Sequence, residues 1–162
     1  MNFSSGRSTD DINRILSKYG DMLLRIAVVM LKDQSDAEDA VEETIIRYIN
    51  HGSSFNNGEH EKAWLITVIT NQCRDILRYR ARFFTSEISC IETYTQDEHT
   101  SGILEALMLL PEKFRIVLML YYVEEYRIDD IASIIGRTTS AVKMRLKKGR
   151  ELLKEKYTKE FL

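Results

Sequence analysis

Six bases and no acid lie between Arg137 and Arg150: Arg137, Lys143, Arg145, Lys147, Lys148 and Arg150. They fall within IDDIASIIGRTTSAVKMRLKKGREL, where Ala132, Gly136 and Val142 stand at spacings of four and six. Each has a physical role in a helix-turn-helix. A small Ala132 lets a second helix cross close to the first, and Gly136 supplies the left-handed backbone that ends the first helix. Val142 and Leu146, one helical turn apart, return to the core beside Ile131 and Ile135. Thr139 or Ser140 is expected to cap the second helix. With 142 and 146 inward, Ser140, Lys143, Met144, Lys147 and Lys148 look outward, near the half of a recognition helix that enters the major groove. Lysines there can donate to guanine O6 and N7, while Thr139, Arg137, Arg145 and Arg150 join them as flanking and phosphate contacts. The motif by itself leaves open which kind of DNA-binding protein carries it.

Two further constellations precede it. In EKAWLITVITNQCRDILRYRAR, Thr67, Asn71, Arg74 and Arg78 line one side at helical spacing, with Lys62 and Trp64 at the start and Leu65, Ile69 and Ile76 inward. An Asn and a Trp beside a cationic row can read and stack an unpaired base while the row follows the backbone. Trp64 taken alone reads as a core anchor. In DAEDAVEETIIRYIN the bias is reversed. Ala37, Val41, Ile45 and Tyr48 are expected inside, and the opposite face carries Glu38, Asp39, Glu42, Glu43, Ile46 and Ile49. Isoleucines among carboxylates on a solvent face fit a protein docking site, and phosphates would repel such a face.

The elements that position these residues read as all-α, in two small helical domains joined by a flexible linker. Only 7 Gly and 1 Pro occur in 162 residues, too few for the turns of an all-β fold. The first domain, 10–84, begins with a stripe of Ile12, Ile15, Leu16 and Tyr19, followed by a second apolar helix through Met22–Leu31. A third helix is expected after Asp33, capped by Ser35 with Glu38 in capping-box spacing. NHGSSFNNG, Asn50 to Gly58, reads as a loop, and a long helix follows from about Glu61 to Arg82. Residues 85–101 are polar, acidic and aperiodic, hence the linker. The second domain, 102–158, has Pro111 dividing a short helix from a Glu112–Val123 helix, with the helix-turn-helix after them.

Together, DAEDAVEETIIRYI, KAWLITVITNQCRDILR and LPEKFRIVLMLYYVEEYRIDDIASIIGRTTSAVKMRLKKGRELL resemble the extracytoplasmic-function group of bacterial RNA polymerase sigma factors. The resemblance covers about 10–84 and 102–156. It implies that the first domain grips the clamp helices of core polymerase, with Asp39, Glu42 and Glu43 at the contact positions. It also implies capture of the melted minus-ten element, with Asn71 at the flipped base and the Phe55–Lys62 loop beside it. The second domain would read the minus-thirty-five duplex through Lys143, Met144, Lys147 and Lys148, and an anti-sigma protein would hold the subunit inactive. Glu42 stands where the family usually has Gln, and Gly149 where Ala is common. The NNGEHEK loop departs from the usual pattern.

No catalysis, cofactor or metal is expected. His51, His60 and His99 have no spacing suited to a helical metal site, Cys73 and Cys90 match no metal motif, and no phosphate loop or nucleophile motif occurs. The longest apolar run, the eight residues Ile116–Val123, is too short to cross a membrane, and the first residues carry no secretory signal, so a cytoplasmic chain is expected. A helix-turn-helix regulator dimerising on palindromic duplex sites is the alternative, which leaves the Trp/Asn helix unexplained. An adaptor using its basic helix only for electrostatic attraction is the other.

Overall fold

The computed structural model describes residues 7–83 and 98–162, with side chains of the second span from 102 onward. The described residues form seven helices and no strand, in two compact units, 1–88 and 89–162. Residues 85–97 of the expected linker lie outside the described residues, whereas 98–101 already belong to a helix.

In the first unit α1 (Thr9–Leu31), α2 (Gln34–Asn50) and α3 (Gly58–Phe83) all pack on one another. Two helices were expected where α1 runs unbroken. Its apolar positions Ile15, Tyr19, Met22, Leu23, Ile26 and Met30 continue one buried stripe through Gly20, so nothing in the packing favours a break. A capping box of Ser8 and Asp11 starts it. Leu16, expected inside, is 43% exposed because the stripe passes through 15 and 19 instead. The cap of α2 is Asp33, whose side chain accepts from the Asp36 N–H, and not Ser35, which lies inside the helix; Glu38 accepts from Gln34 instead. Ala40 and Thr44 are buried on α2 where Val41 is only half-buried.

The loop between α2 and α3 is shorter than expected, 51–57. Asn57 Oδ1 accepts the His60 N–H at 2.9 Å, which starts α3 one turn early. At the far end Arg80 donates to the Leu31 carbonyl at 2.8 Å and pairs with Asp36, tying the end of α1 and the start of α2 to α3.

In the second unit α4 (Glu98–Met108), α5 (Glu112–Tyr122) and α6 (Ile128–Ile135) all pack on α7 (Thr139–Phe161). From Phe114 to Leu120 every residue of α5 is buried, so it forms the core of the unit. One of those residues is Arg115, which donates to the Leu110 carbonyl after the end of α4; burial pulls its guanidinium down to about 10. Burying that charge is costly, and the Leu110 carbonyl and the nearby Glu112 carboxylate both favour it there.

Candidate nucleic-acid and protein interfaces

The helix-turn-helix is built as its spacing requires. Gly136 ends α6 at φ 65° and ψ 42°, and the Arg137 N–H donates to the Ala132 carbonyl at 3.0 Å. Thr138 caps α7, its Oγ1 accepting the Ala141 N–H at 3.1 Å; neither Thr139 nor Ser140 does so, because both already lie within the helix. Ile131, Ala132, Ile135, Val142 and Leu146 are buried.

Gly149 is also buried, and a Cβ there would lie 3.2 Å from Leu118 Cδ1 and 3.3 Å from its Cγ. Glycine thus lets α7 sit close on α5, which offsets the roughly 1 kcal/mol of helix propensity it forgoes relative to alanine.

The outward face carries Ser140, Lys143, Met144 and Lys147, all exposed, with Met144 72% so. Arg137 and Thr139 are exposed at its entrance. At 100° per residue, Arg145 and Arg150 fall on the flanks, whereas Lys148 lies as near the middle of the outward face as Lys147 does. Lys148 approaches Glu151 at 3.8 Å, Arg145 is half-buried, and Arg150 donates to the Tyr122 hydroxyl at 3.2 Å. The centre of the face therefore suits base edges and the flanks suit phosphates.

On α2, Glu38, Asp39 and Glu42 are exposed and Ile46 is 50% exposed among them. Glu43 is half-buried and pairs with Arg47 at 3.1 Å, an exposed i,i+4 pair of small energetic weight. Ile49, expected on the open face, is half-buried, since one turn after the buried Ile45 it falls at the edge of the inward face.

On α3 the row is present but unevenly exposed. Asn71 and Arg78 are exposed, Arg78 pairing with Asp75 at 3.0 Å, while Lys62, Trp64, Thr67 and Arg74 are half-buried. Thr67 donates back to the Ala63 carbonyl at 2.9 Å. Ile76, expected inward, is half-buried.

Trp64 belongs to a ring cluster that the spacing did not reveal. His51 lies 4.6 Å from it, Phe55 5.6 Å and Tyr48 6.2 Å, between ring centres, and His60 meets the edge of Phe55 at 5.4 Å. Beneath the rings is a polar network also missed. Glu61, 6% exposed, accepts from both Arg14 nitrogens at 2.9 and 3.1 Å and from the Tyr48 hydroxyl at 2.9 Å. The Arg14 hydrogen bond holds the Glu61 carboxyl below the usual carboxylate range against its burial, and raises the already high Arg14 value. Burial first, then the Glu61 hydrogen bond, pushes the Tyr48 phenol up to about 12. The sequence marks Glu61 only as the approximate start of a helix; its role shows in its burial against partners on α1 and α2.

No group of three or more His, Cys, Asp or Glu among the described residues could hold a metal ion, and no described helix is long and apolar enough to cross a membrane.

Two helical units, one carrying a helix-turn-helix with outward lysines and the other an acidic and a cationic helix, define a bipartite DNA-binding transcription protein. Residues 15–83 match the model of Sigma-70 region 2, and residues 101–153 that of Sigma-70, region 4. RNA polymerase sigma factor SigV of Bacillus subtilis is 29% identical over 85% of this chain and 86% of its own. ECF RNA polymerase sigma factor EcfG of Rhodopseudomonas palustris is 30% identical over 80% and 76%. The sigma factor RpoE of Bartonella quintana, solved with the anti-sigma factor NepR, shares the fold with a TM-score of 0.77 at 23% identity, over 95% of this chain and all of that one. The chain belongs to the extracytoplasmic-function group of RNA polymerase sigma factors.

Proposed function

We propose that this sigma factor divides its work by helix face. Through Glu38, Asp39, Glu42, Glu43 and Ile46 of α2 it docks on the clamp helices of core polymerase. Along α3, from Lys62 and Trp64 to Asn71, Arg74 and Arg78, it captures the unpaired minus-ten strand beside the 51–57 loop. With Ser140, Lys143, Met144, Lys147 and Lys148 of α7 it reads the minus-thirty-five duplex, while Arg137, Arg145 and Arg150 hold phosphates. It is a specificity subunit without catalysis, working in the cytoplasm where polymerase and promoter meet, and an anti-sigma factor is its second protein partner. Two weak DNA contacts on one chain combine through effective concentration once polymerase holds both units.

The observation that carries this reading is the sorting of charge. The exposed face of α2 is acidic around Ile46, whereas α3 and the outward face of α7 are cationic. One nucleic-acid partner cannot satisfy both signs.

The test is run-off transcription by bacterial core polymerase with this chain on a randomised promoter library. Selection of a bipartite promoter is expected. Reversing Asp39 and Glu43 to Lys should abolish co-purification with core enzyme and leave helicity unchanged; undiminished retention rejects the docking face.

A further inference from the structure

Arg7 lies outside the 15–83 span that matches Sigma-70 region 2, yet it reaches into the same site. The loop 51–57 has no regular backbone pairing of its own. Phe55 packs inward from it, parallel to Tyr48 within 2° at 6.1 Å and to His51 within 17° at 5.0 Å. Arg7 spans this arrangement with one side chain. It donates to the Ser53 carbonyl in the loop at 2.9 Å and to the Tyr48 carbonyl near the end of α2 at 3.3 Å. Its guanidinium carbon sits 4.4 Å from the Tyr48 ring centre and 5.2 Å from that of Phe55. Two directed donors plus a flat cation over two rings is a geometry that arginine supplies and lysine does not.

We propose that Arg7 is a positioning residue for strand capture: it staples the 51–57 loop onto the ring cluster, so that the loop and the Trp64–Asn71 face of α3 form one preset surface for the unpaired strand. Trp64 and Asn71, two turns apart, share a helix face. A loop left free would have to be ordered when the strand binds, and that ordering entropy would be subtracted from affinity. The donors of Arg7 point at two carbonyls of its own chain, so its part is in shaping the surface and not in neutralising a phosphate. The inference rests on the strand-capture reading of α3.

The experiment compares holoenzymes carrying the full wild-type chain, Arg7→Ala or Arg7→Lys. The probe is a fluorescent single-stranded oligonucleotide copying the non-template strand of the promoter selected by the wild type. Both variants should bind it at least about tenfold more weakly, with affinity for core polymerase and for the upstream duplex within about twofold of wild type. In the free full-length chain, where Trp64 is the only tryptophan, its emission should become more accessible to acrylamide in both variants. Lysine restoring full strand affinity, or equal losses of strand and core affinity, would overturn the staple. So would variants that match wild type throughout. A wild-type holoenzyme that opens no promoter removes the strand-capture reading itself, and the inference with it; one that opens its promoter beside an unimpaired Arg7→Ala removes the inference alone.

Discussion

Helices α3 and α7 are both long and cationic on one side, but they are held in opposite ways. The outward face of α7 is exposed. Its position is set by small residues and apolar contacts behind it, Gly149 against Leu118 and Val142 and Leu146 in the core. The first turns of α3 are anchored through polar chemistry instead, with Glu61 bound to Arg14 and Tyr48, and five rings gathered at the loop. Duplex DNA presents a regular groove, so a rigid exposed helix suffices to read it. An unpaired strand has no fixed shape, and the protein must supply one. The two units thus place their precision differently, in packing for α7 and in a buried network for α3.

The sharpest way to break that contrast is to remove Glu61. Glu61→Ala should destabilise the first unit by about 2 kcal/mol, since the buried Tyr48 hydroxyl loses its acceptor while the half-exposed Arg14 can turn to water. Urea unfolding followed by Trp64 emission reports that unit. The same group makes stability depend on pH. Because the folded Glu61 is held below its ordinary value of 4.5, its contribution is fully present above that value and lost as pH falls through the lower folded value. The urea midpoint of wild type should therefore fall more steeply below pH 4.5 than that of Glu61→Gln.

Packing is tested at Gly149. A leucine there has no room against Leu118 and Phe114, and should cost the second unit about 2 kcal/mol, leaving the Trp64 transition in place. Reading is tested at Lys147, on the centre of the exposed face. Lys147→Ala should weaken promoter binding by about 1–2 kcal/mol and scrambled duplex by less. Lys148→Ala should show the same preference with a smaller loss, since Glu151 lies 3.8 Å from its ammonium; equal losses on both duplexes would make it a phosphate contact. The smallest effect is expected at Glu125, which has φ 57° in the turn before α6. Glu125→Gly relieves that left-handed backbone and should raise the melting transition of the second unit, by up to about 1 kcal/mol of stability.

The helix-turn-helix was legible in the sequence almost whole, because every contact that defines it lies within a few turns: Ala132, Gly136, Val142 and Leu146 have their jobs by spacing alone. The two helix caps, expected at 35 in α2 and at 139 or 140 in α7, missed by one or two positions. A cap is the residue whose backbone stays extended, as at Asp33 and Thr138, and a string of Ser, Thr and Asp does not say which one that is. The break drawn inside α1 failed for a related reason. Gly20 and Asp21 look like punctuation, but the tertiary core buries the residues on both sides and carries the helix through.

Local spacing and charge order, then, determined most of the helices and most of their faces, though not the unbroken α1 or the exposure of Leu16. The family followed from the resemblance of whole motifs. Spacing and charge order act over one or two turns, and those distances are written directly in the chain. The ring cluster, the Glu61 network and the reach of Arg7 were decided only in the fold. The hydrogen-bond partners of Glu61 and Arg7 are 13 to 47 residues away and the rings gather across a loop, so whether a carboxylate is buried or an arginine stacks depends on which helices meet there.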